Sequence, residues 1–562
     1  MTTRKEGRRW GPSEKKITLA LIVLLGAAAF LALIPANRTG AANPEMLAIF
    51  EVDEYAQYPH ALRMATVGGT TVETLRNFFV YLHYFYGFPF YALSGATLIA
   101  AKPLIPGFPN ATRTIVCLLR MVVSVLPMIL CAALLTGLTT GFRSRWRSVA
   151  LFIFLLTVPA VVINDFWWHP DSLSLLLVCL VIVFLDRDAD RFDRDFYVAA
   201  ALTGAAIGTK YQGLYFAPTI PALLLKAVRC GRLSWRRALA HAAGFVAVTL
   251  AFVVVSNPLL LLPQERAEIF RVQSQQFAET GVGTLTRNAA AIFDGFGLND
   301  ALRADYGDAW FWILAVGGWS CAGFFGNERE RRLARIVLSY AATAFAVLAL
   351  SPTQRSHYFL ALAIPLFSGI VFLTPGALTA EGGSPPERVP RLAGGILTAL
   401  WLVQFCVNLV ADTGLMKTQL RREAESPKIA FYEAIEDELD RAISVSAARG
   451  RVLRVLRDTK AYFPERNGVD VRQDWDMLTG EDVADYRPDW ILIEMENLTR
   501  FGDSTILAEA IDEKELIPIY AFYAAAARDE LDGYFLAAEN GAQALFVRDG
   551  FQPRPESSGR GT

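Results

Sequence analysis

The chain has 562 residues, of which 53% are hydrophobic and only 19% are charged, and its mean hydropathy is +0.32. This composition excludes a row of soluble domains and predicts an integral membrane protein. The 54 basic and 55 acidic side chains nearly cancel, so no overall basic field indicates a nucleic-acid partner. The six cysteines lie in apolar runs without Cys-x-x-Cys spacing, which disfavours both a disulfide framework and a thiolate metal site.

The first sixteen residues are basic and precede an apolar run from Ile17 to Pro35. The run is long enough to cross a bilayer, and the positive-inside rule places residues 1–16 in the cytoplasm. A cleaved signal peptide is the alternative, but the run is longer than a usual signal core and lacks an Ala-x-Ala exit. We therefore predict a membrane anchor.

Further apolar runs predict about eleven transmembrane helices between residues 17 and 411. Two assignments determine which end of each helix faces the cytoplasm. Asn77 to Ala101 is interpreted as a juxtamembrane or re-entrant segment, and the run 196–225 is divided at Gly208-Thr209-Lys210 because one helix would be too long. All short arginine-rich loops then lie on the cytoplasmic side with the N-terminus. Reversing both assignments is the alternative, and it misplaces two of these loops.

Hydropathy falls after Ala411, and residues 412–550 are predicted to form a small α/β domain outside the membrane, followed by a disordered tail over 551–562. A helix should start at Ser426-Pro427 and end near Gly450. Short strands are predicted at 452–456, 490–494 and 517–522, and a hairpin turns at Asn540-Gly541.

Ionisable and aromatic residues collect on the predicted outer face, where the first outer loop spans 37–112. Taken singly they have ordinary explanations: Asp53-Glu54 as a helix cap, Trp167-Trp168 as an interfacial anchor, Lys210 as a snorkelling side chain. Together, acids, bases and aromatic rings from five outer loops favour a membrane-edge cavity for a lipid with an anionic head.

Five short motifs follow one another on this face: the Asp53-Glu54 pair after the first span, His169-Pro170-Asp171 in the next outer loop, the Gly208-x-Lys210-Tyr211 break, the Asn257-Pro258 span exit and Arg355-Ser-His357-Tyr358. Their order resembles that of GT-C class glycosyltransferases, the superfamily of protein O-mannosyltransferases and the aminoarabinose transferase of lipid A. The resemblance covers residues 17–375. In the last motif, the usual arginine–tyrosine form is interrupted by Ser356-His357.

The resemblance implies a GT-C-like polytopic α-helical fold and an inverting transfer of one sugar from a polyprenyl-phosphate donor to the hydroxyl of a glycan, lipid or protein acceptor. Asp53 would be the general base, with Glu54 and Asp171 as further catalytic residues. The donor phosphate would be bound by Lys210, Tyr211, Arg355, His357 and Tyr358. His60, His83, Asp165, His169, Gln212 and Asn257 would support the acceptor. A divalent cation is an optional addition, with Asp53, His169 and Asp171 as its candidate ligands.

Two other functions are compatible with the sequence. A transporter or flippase of a lipid-linked sugar would use the same acids as proton relays, although transporters usually place coupling groups at mid-membrane depth. A sensor or assembly protein would use the helices only as an anchor. The arginine- and alanine-rich composition favours a bacterial inner membrane, with the site and the C-terminal domain in the periplasm.

Overall fold

The computed structural model describes residues 12–282, 285–286, 300–350, 355–374, 391–475 and 477–552. Within them, six helices are long and apolar enough to cross a membrane, and a bent helix pair would make a seventh. The protein is a multi-pass membrane protein, and the count of eleven spans stays a prediction. The six helices are Glu14–Asn37, Thr112–Thr140, Trp235–Ser256, Glu328–Ala349, Ser356–Leu373 and Gly395–Arg421.

The membrane part consists of α-helices joined by short 3-10 and π segments. Its α-helices are α1 Pro12–Asn37, α2 Pro44–Phe50, α3 Val52–Met64, α4 Thr71–Phe79, α5 Phe88–Ala101, α6 Thr112–Leu119, α7 Leu126–Thr140, α8 Arg145–Leu156, α9 Pro159–Asp165, α10 Asp171–Asp188, α11 Arg194–Thr209, α12 Thr219–Arg229, α13 Trp235–Ser256, α14 Pro263–Val282, α15 Asp300–Tyr306, α16 Ala309–Phe325, α17 Glu328–Ala349, α18 Leu360–Phe367 and α19 Arg391–Arg421.

The segment between α1 and α6 leaves and returns at the same end of the helix bundle. The Gly40 amide donates to the Glu423 carboxylate at 2.5 Å, and Arg113 pairs with the same carboxylate at 2.9 Å. We call this end, which adjoins the C-terminal domain, the site end. The stretch from Asn77 to Ala101 contains the end of α4, a connecting loop and α5, and neither helix is among those long and apolar enough to span. That this stretch does not cross the membrane stays a prediction.

Basic loops meet at the opposite end of the bundle. Asp186 pairs with Arg329 at 2.8 Å, and Asp190 pairs with Lys226 at 2.7 Å. The loops after α10, α12 and α16 therefore lie together, as the charge pattern predicts. That this end faces the cytoplasm stays a prediction.

The C-terminal domain packs helices on both faces of a mixed five-stranded sheet. Its strands follow the order β2-β1-β3-β5-β4, with β1 parallel to β2 and β3, and with β5 antiparallel to β3 and β4. One apolar core lies on each face of the sheet. Its elements are α20 Pro427–Ala434, α21 Glu436–Ala448, β1 Leu453–Asp458, β2 Val469–Asp474, α22 Gly480–Tyr486, β3 Trp490–Glu494, α23 Met495–Phe501, α24 Glu513–Ala527, β4 Tyr534–Glu539 and β5 Gln543–Arg548.

The sequence-based interpretation of this domain is partly right. The helix start at Ser426, the strands near 452–456 and 490–494 and the hairpin at Asn540 are confirmed. The strand at 517–522 is wrong, because those residues belong to α24, whose apolar side chains recur at helical spacing and pack on the sheet. Strand β2 was not predicted, since it is a charged edge strand. In the predicted disordered tail, residues 553–562 lie outside the described residues.

Candidate active site

A buried ion pair fixes the start of α3 against the bundle. Arg120 donates to both carboxylate oxygens of Glu54, through Nε at 2.8 Å and through Nη2, and both side chains are 0% exposed. Glu54 also accepts the Trp168 amide at 2.7 Å. Because these contacts engage both of its oxygens, Glu54 holds three segments together, and we correct its predicted catalytic role to a positioning role.

Arg120 was not among the predicted site residues. Apart from Arg113 at the start of α6, it is the one charge in the apolar run that becomes α6, a π segment Arg120–Val125 and α7. A charge at membrane depth usually marks a function or a buried partner. That signal could have found Arg120, but its partner lies 66 residues away in the chain.

Asp53, one residue before Glu54, belongs to a chain of hydrogen bonds. Its Oδ2 atom lies 3.3 Å from the Tyr86 hydroxyl, and the same hydroxyl lies 2.7 Å from Nε2 of His169. Tyr86 lies in the aromatic stretch before α5 and was not a predicted site residue. It joins the first loop to the loop between α9 and α10.

The chain continues from His169 to a buried ion pair. His169 Nδ1 lies 2.5 Å from Asp171 Oδ2, and the Lys210 ammonium lies 2.5 Å from Asp171 Oδ1. Asp171 is the first residue of α10, and Lys210 follows the last residue of α11. The helix break that was predicted at Gly208-Thr209-Lys210 is confirmed, and it carries Lys210 to Asp171.

Close backbone packing supports this break. The Asn257 side-chain amide donates to the Gly208 carbonyl at 2.9 Å, and its oxygen accepts the Phe88 amide at 2.8 Å. A Cβ on Gly208 would lie 2.1 Å from Ser256 Oγ, and a Cβ on Gly87 would lie 1.6 Å from the Gly208 carbonyl oxygen. Both positions therefore require glycine because of close approach. Asn257 is engaged in this backbone clamp rather than directed at a ligand.

Aromatic rings surround the ion pair. Trp167 stacks on His169 with ring centroids 3.8 Å apart, and His357 meets the edges of both rings at 5.1 and 5.4 Å. Lys210 lies 5.0 Å from the centre of the Tyr358 ring. Six predicted residues thus come together with Tyr86: Asp53, His169, Asp171, Lys210, His357 and Tyr358.

Other predicted residues lie at the margin of this cluster. His83 bonds to the Tyr91 hydroxyl at 2.5 Å and lies 5.5 Å from the His60 ring. Burial lowers the pKa of both histidines, that of His83 to about 3, so this pair is neutral at physiological pH. Tyr211 donates to Gln273 at 2.5 Å.

The three other predicted site residues are Arg355, Gln212 and Asp165. Arg355 is exposed, and it starts a short 3-10 turn with His357 and Tyr358. Gln212 is buried in the 3-10 segment after Lys210. Asp165 does not join the cluster, because it lines a separate groove between α1, α9 and α19.

A divalent cation was predicted as an option on Asp53, His169 and Asp171. The ligand atoms that lie within 4.8 Å of one another belong instead to His169, Asp171 and His357. Lys210 already occupies Asp171 Oδ1, and a metal ion would have to compete with its ammonium. Apart from their contact with each other, Asp171 Oδ2 and His169 Nδ1 have no hydrogen-bond partner among the described residues, and a divalent cation on this set stays a prediction.

No family model matches the chain, and no curated protein matches it. Among solved structures, it is similar to ArnT from Cupriavidus metallidurans bound to undecaprenyl phosphate, with 10% identity and a TM-score of 0.48 over 96% of this chain and 99% of that one. It is also similar to ArnT in the apo state, with 12% identity and a TM-score of 0.47 over 93% of this chain and 97% of that one. A third similar structure is the archaeal oligosaccharyltransferase AglB from Archaeoglobus fulgidus in complex with an inhibitory peptide and a dolichol-phosphate. Its identity to this chain is 12% and the TM-score is 0.45, over 97% of this chain and 75% of that one.

Proposed function

We propose that the protein is an inverting membrane glycosyltransferase, which moves one sugar from a polyprenyl-phosphate donor to an acceptor hydroxyl. The observation that carries this proposal is the chain of contacts from Asp53 to Lys210. Hydrogen bonds join Asp53, Tyr86 and His169, and close ion-pair contacts join His169, Asp171 and Lys210. This chain has a carboxylate at one end and a cation at the other. Such a transfer needs both charges, since a proton is lost from the acceptor while negative charge grows on the leaving phosphate.

The cationic end suits the leaving group. In the reaction, the acceptor oxygen forms a bond to the anomeric carbon while the bond from that carbon to the phosphate oxygen breaks. Lys210 is buried except for a small exposed part, and it is held by Asp171 and by the Tyr358 ring. A fixed ammonium near the departing phosphate stabilises the transition state more than the ground state.

The carboxylate end suits the base. When Asp53 takes the proton, it can donate to the Tyr86 oxygen, Tyr86 can donate to His169 Nε2, and Nδ1–H of His169 can donate to Asp171. Burial lowers the pKa of His169, against the opposing effect of the Asp171 carboxylate, which favours the neutral ring that this arrangement requires. Burial, with the Asp53 charge, also raises the pKa of Tyr86 well above its ordinary value, so the hydroxyl keeps its proton. When Asp53 is protonated, each side chain from Asp53 to Asp171 can therefore have a hydrogen-bond partner.

The test compares Asp53→Asn with the parent protein in nanodiscs. Asn has nearly the same shape but cannot take up the proton, so transfer from radiolabelled undecaprenyl-phosphate arabinose, mannose or galacturonate should fall about 100- to 10,000-fold. Binding of undecaprenyl phosphate should stay near the parent level. Asp193→Asn, a change at an exposed residue of the opposite end, is the control. An Asp53→Asn rate within roughly threefold of the parent would contradict Asp53 as the base, and failure of the parent to transfer any of these sugars would contradict the activity with these donors.

A further inference from the structure

A lateral groove lies between α1, the α8–α9 pair and α19, apart from the candidate active site. Its volume is about 890 Å³, and none of Asp53, His169, Asp171, Lys210 and His357 lines it. Both α1 and α19 are apolar enough to cross a membrane. The groove occupies the half of these helices nearer the site end, since it is lined by residues 25–33 of α1 and 409–421 of α19.

The wall of the groove is mostly apolar, and its depth comes from small side chains. Ala28, Ala29 and Ala32 of α1 face Leu156 and Val162 of the bent helix pair. α8 and α9 meet at 60° next to Pro159, which cannot continue the hydrogen bonding of α8. A bend beside a stripe of alanines leaves space that longer side chains and a straight helix would fill.

Two carboxyl groups point into this apolar groove. Asp165, at the end of α9, is only 3% exposed, and its Oδ1 atom has no hydrogen-bond partner among the described residues. Asp412 of α19 has both side-chain oxygens buried without such a partner. A buried carboxyl group without a partner is costly, so these two groups indicate a ligand with polar atoms at this depth.

Two cations lie further along the same helix, towards the site end. Lys417 and Arg421 line the groove, about one and a half and two and a half turns beyond Asp412. Both are exposed, and Arg421 also pairs with Glu425 at 3.3 Å. Along the groove the order is therefore apolar wall, carboxyl groups and cations.

We propose that the groove binds one glycerophospholipid of the surrounding bilayer, with a net anionic headgroup. The order of chemical groups in such a lipid matches the order along the groove. Its acyl chains would contact α1 and α19, and its ester carbonyls would accept hydrogen bonds from Asp165 and Asp412, which keep their protons in apolar surroundings. Its phosphate would pair with Lys417 and Arg421. The lipid would connect α1, α9 and α19 behind the loop that carries His169.

The test measures bound lipid and does not depend on sugar transfer. The full-length protein is reconstituted in vesicles of equal phosphatidylglycerol and phosphatidylcholine, extracted in mild detergent and analysed by native mass spectrometry. The parent should retain one phosphatidylglycerol in preference to phosphatidylcholine. Lys417→Ala/Arg421→Ala should lower this retention about tenfold, because it removes the charge-assisted contacts to the phosphate.

A matched pair of variants tests the groove itself. Ala28→Phe fills the groove and should abolish the retained lipid, whereas Ala27→Phe, on an exposed residue that does not line the groove, should retain it. Retention by Ala28→Phe at the parent level would overturn the proposal, as would equal retention of the two phospholipids. Displacement of phosphatidylglycerol by added undecaprenyl phosphate would also overturn it, because the groove would then take a lipid of the substrate class.

Discussion

The Nε2 atom of His169 lies 2.7 Å from the hydroxyl oxygen of Tyr86, although 83 residues separate them in the chain. Through this contact, Asp53 in the first loop is joined to the Asp171–Lys210 pair. The proposed base and the proposed phosphate-binding lysine are therefore connected by side chains from distant parts of the sequence.

Tyr86→Phe removes only the hydroxyl from this chain and keeps the ring. The transfer rate should fall about 10- to 100-fold, the worth of one hydrogen bond to a charged group, while undecaprenyl-phosphate binding stays unchanged. Single-turnover transfer measures the rate. Tyr91→Phe, which breaks a bond to His83 outside the chain, is the control and should have a smaller effect. If both variants lost the same rate, Tyr86 would act through packing alone.

Lys210→Ala should weaken the binding of undecaprenyl phosphate about 10- to 100-fold, because a charge-assisted contact to the phosphate is lost. Lys210→Arg should recover part of it. Lys226→Ala is the matched control, since it removes a lysine that pairs with an aspartate at the opposite end of the bundle. Unchanged binding in Lys210→Ala would place the donor phosphate elsewhere.

The Glu54–Arg120 pair should be required for stability rather than for transfer. Arg120→Met leaves the Glu54 charge buried alone, and we expect it to destabilise the protein by about 3–5 kcal/mol. The double variant Glu54→Leu/Arg120→Met should be less destabilised, because no unpaired charge remains. Thermal unfolding in detergent compares them with Arg113→Met, which breaks a partly exposed pair and should cost about 1 kcal/mol or less. A double variant less stable than Arg120→Met would argue against this account.

Stability of the C-terminal domain should fall as the pH rises from about 4 to about 6. Burial raises the pKa of Asp458 to about 6, against the opposing hydrogen bond from the Tyr523 hydroxyl at 2.5 Å. The folded state therefore holds a proton that the unfolded state has released over this range, and this group's contribution, about 3 kcal/mol, is lost with rising pH. Hydrogen exchange of the sheet amides in the full chain should show the slope. It should disappear in Asp458→Asn and persist in Asp532→Asn, an exposed change. An equal slope in both variants would assign the effect to other groups.

The sidedness of the two ends can be tested by thiol labelling. Cysteine at Val72, which is 76% exposed at the site end, should react with an impermeant reagent added to intact spheroplasts. Cysteine at Trp146, which is 79% exposed at the opposite end, should react only after lysis. The exposed Cys230 and Cys406 are first changed to serine. Reversed labelling would place the candidate active site in the cytoplasm.

The sequence by itself determined the class of protein and much of its helix pattern. Apolar runs of spanning length need no tertiary information, because a bilayer requires them locally. The same holds for the break at Lys210, where a run too long for one helix contains glycine and a charge. Asp53, His169, Asp171 and Lys210 could be chosen as candidates because charges near a membrane are costly wherever they pair.

Only the tertiary structure decided which candidates meet. Glu54 and Asp53 are neighbours in the chain, yet one turns into the bundle to Arg120 and the other faces Tyr86. Asp165 lies close to His169 in sequence, but it lines the lateral groove between α1, α9 and α19. Helix direction and packing separate side chains that are adjacent in the sequence and bring distant ones together. A local sequence pattern cannot predict these contacts, because the partners belong to elements far away in the chain.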